Sequence, residues 1–165
     1  KAQGSGNIDY SPANHQAMTN IRRDKVMGIQ VPDQAIEQGQ AGGKLVVVGW
    51  GSTYGPIAQA VRRARARGHD VSHVHIRHIW PLPKNLGDLL SSYEHILVPE
   101  MNTGQLKTLL RDQYLVDARS LTKVSGQPFR IAEIEAAIAQ HIGADFDQEV
   151  PPDDRQLPSP EAVNP

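Results

Sequence analysis

Four apolar residues in unbroken succession, Leu45-Val46-Val47-Val48, stand out after a polar N-terminal stretch. A β-branched run without alternation predicts a strand buried on both faces, as in a parallel sheet. The period then changes. Ile57, Val61 and Ala64 recur at helical spacing, and Gly68 is the expected stop. The same switch repeats along the chain. Val71 to Ile76 predicts a second strand, Leu86, Leu89 and Leu90 a short helix, and His95 to Val98 a third strand. Leu106, Leu109, Leu110 and Tyr114 mark another helix, and Ser120 to Val124 a weaker fourth strand. Ile131, Ile134, Ile138 and Ile142 form the buried face of a last helix. Strands alternating with helices at this interval make βαβ units with right-handed crossovers. The expected fold is α/β: a three-layer, mainly parallel sheet with helices on both faces, over about residues 44–143.

The flanks read differently. Residues 1–43 are polar, and within them Ser11-Pro12 predicts a helix start, Ser as N-cap and Pro in the first turn. Ala17, Met18 and Ile21 give that helix a narrow apolar stripe, Arg22 to Lys25 are exposed or face a partner, and Gly28 and Pro32 close it. With Gly39 to Gly43 as a flexible joint, the segment is expected to be a linker rather than a domain. From Ala144 onward come five prolines, six acidic residues and few large apolar side chains. Such a tail, residues 144–165, is expected to be disordered or to lie along a partner, because it buries too little to offset its ordering entropy.

Composition narrows the function classes. A net charge of -1 gives no electrostatic case for nucleic acid or a membrane surface. The absence of cysteine excludes disulfides, thiolate zinc sites, a cysteine nucleophile and any iron–sulfur cluster held from within the chain. It agrees with a cytoplasmic origin. No stretch approaches the roughly 20 apolar residues of a membrane span. The chain begins with Lys1, and the expectation is a piece of a longer protein.

Ligands of an open α/β sheet meet the carboxyl ends of its strands. Three segments fall there. In Gly49-Trp50-Gly51-Ser52-Thr53-Tyr54-Gly55, backbone N–H groups and the hydroxyls of Ser52 and Thr53 suit a carboxylate or phosphate at a helix start. It lacks the Lys of a P-loop, and its third glycine arrives one residue late for a dinucleotide fingerprint. The plain alternative is a tight turn with Ser52 or Thr53 as N-cap. In Glu100-Met101-Asn102-Thr103-Gly104-Gln105, Thr103 can cap a helix, Gly104 permits close approach, and Asn102 and Gln105 offer paired donors and acceptors. Glu100 suits a general base, or it pairs with a nearby amide or Arg. In His73-Val74-His75-Ile76-Arg77-His78, alternation puts His73, His75 and Arg77 on one face and His78 on the other. A metal pair there would lack a third ligand and sit beside a cation, so the polar strand face is read as meeting an interface, His75, Arg77 and His78 are the interface candidates, and no metal is expected. Arg62, Arg63, Arg65 and Arg67 form a basic run, either a solvated face or a docking patch for an acidic partner.

These pieces in this order resemble the C-terminal domain of transketolase-like thiamine enzymes. They resemble more closely that of the α subunit of 2-oxoacid:ferredoxin oxidoreductases, the 2-oxoglutarate type in particular. Gly49 to Gly55, His78-Ile79-Trp80-Pro81-Leu82-Pro83, Val98-Pro99-Glu100 through Leu106, and Lys123-Val124-Ser125-Gly126-Gln127-Pro128-Phe129 carry the resemblance. His15 to Lys25 is similar to that family's linker helix, and the likeness spans about residues 5–142. It implies an (αβ)2 enzyme that decarboxylates a 2-oxoacid on thiamine diphosphate, passes electrons through a [4Fe–4S] cluster to ferredoxin and forms an acyl-CoA. The resemblance puts the thiamine pocket and its activating Glu in other domains, and the diphosphate, magnesium and cluster ligands in the β subunit. It implies no catalytic residue and no cofactor held by this fragment alone. The fragment would pack on upstream α-subunit domains, build the β-subunit interface and line a route for substrate or CoA; Gly51, Ser52, Thr53, Glu100, Asn102, Thr103, Gly104 and Gln105 are its ligand-pocket or interface candidates. Two other readings compete: a free-standing Rossmann-like nucleotide module using the Gly49 to Gly55 turn and Arg77, and a purely structural oligomerisation domain.

Overall fold

A computed structural model describes residues 1–146. The chain divides into two compact units: Lys1–Pro32 with His78–Pro83, and Asp33–Arg77 with the chain from Lys84 onward.

The first unit holds one helix, α1, Pro12–Met27. It starts as the sequence predicts, with the Ser11 hydroxyl accepting from the Asn14 amide at 3.3 Å and Pro12 in the first turn. It ends at Gly28, whose N–H donates to the Asp24 carbonyl at 2.9 Å. None of its residues is buried, so packing within the unit does not account for its helicity. The His78–Pro83 segment contains a cis Trp80–Pro81 bond and an exposed Trp80.

The second unit is a five-stranded sheet of order β1-β3-β2-β4-β5. Its strands are β1 (Ile36–Gln38), β2 (Gly43–Trp50), β3 (Val71–Ile76), β4 (Tyr93–Glu100) and β5 (Ala118–Thr122). Its helices are α2 (Tyr54–Ala66), α3 (Leu86–Ser91), α4 (Gln105–Tyr114) and α5 (Ile131–Ile142). The pairings β2–β3, β2–β4 and β4–β5 are parallel, and β1 alone is antiparallel, against β3. Helices cover both faces, as expected. Leu45 and Val47 of β2 pack with Ile57, Val61 and Ala64 of α2 and Ile134 and Ile138 of α5 in one cluster. On the other side, Leu86, Leu90, Leu106 and Leu110 of α3 and α4 are buried. This explains the unbroken apolar run: a strand with helices above and below has no wet face to alternate with.

The structure differs from the sequence reading in the flank before β2. β1 lies inside the stretch expected to be linker, with Ile36 opposite Val74 and Gln38 opposite His73. The segment is tied down by side chains: Gln34 exchanges hydrogen bonds with Asn85 at 2.7 and 3.0 Å, and Gln38 donates to the Ala58 carbonyl at 3.0 Å. At the far end, Phe146 packs against the core cluster. The rest of the expected tail, residues 147–165, lies outside the described residues. Among the described residues, no helix is long and apolar enough to cross a membrane.

Candidate functional site at the strand ends

Strand order places the topological switch between β2 and β4. From β2 the chain crosses to β3 on one side, and from β4 it crosses to β5 on the other. The two central strands pair from Gly43–Tyr93 to Val47–Leu97. Beyond that each stays with its outer neighbour, β2 with β3 up to Trp50–Ile76 and β4 with β5 up to Glu100–Thr122. A crevice at the carboxyl end of such a switch is the usual ligand position in open α/β sheets. Both glycine-bearing corners singled out in the sequence flank it.

The corner after β2 is open. Gly51 takes a left-handed conformation (φ 57°), and nothing lies within 4 Å of the position a Cβ would occupy at Gly51 or Gly55. Gly51 and Ser52 are exposed. A single 3-10 turn, Gly51–Thr53, leads into α2. Thr53 stands at the N-cap of that helix, one of the two positions expected, but its side chain makes no capping bond to it. The Thr53 hydroxyl instead closes the turn behind it, accepting from the Trp50 amide at 3.1 Å and donating to the Trp50 carbonyl at 2.9 Å.

Beneath this corner lies a buried polar cluster. The Tyr54 ring packs against His73 at 5.3 Å and edge-on against His75 at 5.0 Å between centroids. Its hydroxyl donates to Glu37 at 3.3 Å, and Glu37 pairs with Arg77 at 3.1 Å. His73 is fully buried, and neither ring nitrogen has a hydrogen-bond partner in the described structure. Desolvation, with His75 and Arg77 nearby, pushes its pKa down to about 3, so both nitrogens sit in a neutral ring at ordinary pH. His75 is shifted down too, by burial and then by Arg77. Burial first, then the Glu37 charge, pushes the Tyr54 phenol up. The His73–His75 face expected to meet an interface is thus covered from within by the first turn of α2. Arg77 is half-exposed, and His78 is exposed in the other unit.

The corner after β4 is closed. The Glu100 side chain is fully buried. Its oxygens accept from the Leu106 amide at 2.7 Å, the Lys107 amide at 3.1 Å and the Asn102 side-chain nitrogen at 3.3 Å. Asn102 Oδ1 accepts from the Gly104 and Gln105 amides at 2.7 and 3.1 Å. The residue at the N-cap is Gly104 (φ 93°), not Thr103, and the capping groups come from two and four residues upstream. A Cβ at Gly104 would fall 2.8 Å from Ser120 Oγ of β5, so both the backbone angle and the approach require glycine. Since Glu100 and Asn102 fill the N–H groups of α4 from within, Glu100 is built as an acceptor for that helix, and the exposed Thr103 and Gln105 are what this corner presents outward.

A cavity of about 470 Å3 lies beyond β5, lined by Lys123, Ser125, Gln127, Pro128 and Arg130. Lys123 donates there to Glu133 (2.8 Å) and the Pro128 carbonyl (3.0 Å). Among the described residues no group of three or more His, Cys, Asp or Glu could hold a metal ion.

The fold class is that of the doubly wound α/β domain of transketolases: a split-gene transketolase structure aligns over 70% of this chain and 44% of its own, at TM-score 0.54 and 13% identity. Residues 43–134 match the family described as pyruvate:ferredoxin oxidoreductase core domain II, and the chain belongs to that family. The 2-oxoglutarate oxidoreductase subunit KorA of Mycobacterium tuberculosis is 45% identical over 152 residues, 90% of this chain and 23% of that protein. A structure of the 2-oxoglutarate:ferredoxin oxidoreductase of Magnetococcus marinus, with 2-oxoglutarate, coenzyme A and succinyl-CoA bound, aligns over 86% of this chain and 25% of its own. Its TM-score is 0.73 at 26% identity. The chain thus spans about a quarter of the length of these relatives.

Proposed function

We propose that this chain forms part of the α subunit of a 2-oxoglutarate:ferredoxin oxidoreductase, an enzyme that oxidatively decarboxylates the 2-oxoacid and transfers the acyl group to CoA. The observation that supports this most directly is the 45% identity to a 2-oxoglutarate oxidoreductase subunit over 90% of the chain. Residues 1–32 would link to upstream α-subunit domains, and the chain from Asp33 onward would supply the α/β domain. The enzyme would work in the cytoplasm as an (αβ)2 assembly with ferredoxin as acceptor.

The residues at hand do not suit the redox and thiamine groups. No cysteine is present to ligate a [4Fe–4S] cluster, and no described acidic cluster could hold the magnesium of thiamine diphosphate. Those groups would sit on the β subunit and the upstream domains. What this domain offers is its open corner. The free edge of the Gly51 to Gly55 turn, with α2 behind it, suits an anionic group such as a substrate carboxylate or a CoA phosphate. Thr103 and Gln105, across the crevice, would complete the wall, with Glu100 and Asn102 holding the backbone beneath them.

The test is reconstitution of the complete α subunit, containing this chain, with its β subunit. Ferredoxin reduction should require both 2-oxoglutarate and CoA, and Gly51→Val should raise KM for one of them severalfold. Reduction with pyruvate but not 2-oxoglutarate would overturn the substrate, and an unchanged KM for both in the variant would remove the open corner from the pocket.

A further inference from the structure

One side chain ties the open corner to the buried cluster beneath it. His75 stands opposite Gly49 in the parallel pairing of β2 and β3, the last pair but one before Trp50 and Ile76 end the ladder. The missing side chain at Gly49 gives its ring a seat: a Cβ there would fall 2.9 Å from His75 Nδ1. Tyr54, the first residue of α2, packs against the ring edge-on at 5.0 Å between centroids. So seated, His75 is only 7% exposed. From there the ring hydrogen-bonds to the backbone of Gly51, the first residue of the exposed turn.

That bond defines the chemistry of the ring. It favours the protonated imidazole, so it runs from a ring N–H to the Gly51 carbonyl. Nδ1 is buried and has no partner, which makes Nε2 the donor. Burial first, and then the Arg77 charge, holds the His75 pKa below its ordinary value, so the ring donates as a neutral Nε2–H tautomer at neutral pH.

Burying an imidazole with one nitrogen unpaired costs free energy that an apolar ring of like size would not. What the histidine adds in return is the bond to Gly51. Little else holds that residue: it is exposed, nothing lies within 4 Å of its Cβ position, and the Thr53 hydroxyl is committed to Trp50. The carbonyl of Gly51 and the N–H of Ser52 belong to one planar trans peptide and point in opposite directions. A carbonyl drawn toward the His75 ring therefore directs the Ser52 amide away from it, and Ser52 is exposed. The geometry points to His75 as a positioning residue: its Nε2–H holds the Gly51 carbonyl and so presents the Ser52 amide to the substrate carboxylate or CoA phosphate. This rests on the open corner being part of the pocket.

The reconstituted enzyme separates the two claims. Gly51→Val identifies the substrate, 2-oxoglutarate or CoA, whose KM the corner sets. His75→Phe keeps a ring in the seat and removes the donor, and His75→Asn is too short to reach Gly51. Each should raise KM for that same substrate about fivefold, the worth of one neutral hydrogen bond, with kcat and the other KM unchanged. His75→Gln, whose amide can place an N–H where Nε2 stood, should restore most of the parent KM. Parent-like KM in His75→Phe and His75→Asn, with Gly51→Val still raising it, would overturn the positioning role alone. So would an equal fall in kcat in all three His75 variants without a change in KM, the mark of a merely structural part. An unchanged KM in Gly51→Val as well would remove the corner from the pocket and the role with it.

Discussion

Two corners at neighbouring strand ends of one sheet solve the same problem in opposite ways. Each must take a parallel strand into a helix whose first amides lack partners. After β4 the chain answers internally: Glu100 and Asn102 fill the amides of α4. After β2 the Thr53 hydroxyl turns backward to Trp50, and the face of Gly51 to Gly55 is left open. The lesson is that a glycine-bearing strand end is a ligand candidate only when the chain has not already supplied the anion. One corner here is closed by its own side chains and the other is left open.

The comparison can be broken at its closed side first. Glu100→Ala should cost about 3 kcal/mol, since it removes charge-assisted bonds and leaves buried amides unpaired. The variant's urea midpoint should also recover in sulfate more than the parent's, because the substitution turns the closed corner into an anion site. Gly49→Ala attacks the open side. A Cβ there would fall 2.7 Å from Ile57 Cδ1, 2.9 Å from His75 Nδ1 and 3.1 Å from Thr53 Oγ1. Overpacking of that kind costs about 2 kcal/mol, readable as a lower thermal midpoint.

The buried histidine beneath the open corner gives a pH signature that the closed corner lacks. The His73 pKa is about 3 in the folded chain, against the ordinary value of 6.5. Between those values the unfolded chain binds the extra proton, so stability is full above pH 6.5 and falls as pH drops toward 3. His73→Phe should remove about 1.4 kcal/mol of the difference in unfolding free energy between about pH 7.5 and 5.5. Denaturant titrations of parent and variant at the two pH values measure it, and parallel curves would show that His73 does not carry the proton linkage. The smallest effect is expected from Asn102→Ala, about 1 kcal/mol for a lost cap, seen as faster amide exchange at Gly104 and Gln105.

Much of this was legible beforehand, and the parts that were not share a cause. The runs at Leu45 to Val48 and Val71 to Ile76 and the isoleucine stripe of α5 follow from local period alone, and they fall where the structure has them. β1 did not declare itself. Three residues, Ile36-Glu37-Gln38, have no period to read, and they become a strand only because β3 offers them an edge. The cap of α4 was expected from Thr103, close to the helix start. Groups further back supply it, because β4 runs on to Glu100 and aims that carboxylate at the helix. His73 and His75 read as a partner-facing row because polar residues alternated. What covers them is Tyr54, some twenty residues earlier, a contact no local pattern encodes. Burial of polar groups is a long-range property, and sequence periodicity reports only the short range.

β1 has one more effect. A parallel sheet ending at β3 would present a row of unpaired backbone groups on which another molecule could add a strand. Three residues running in the reverse direction, followed at once by Gly39, use up part of that row and are too short to template a further addition. The little strand acts as a selvedge, finishing that margin of the sheet against fraying into aggregates.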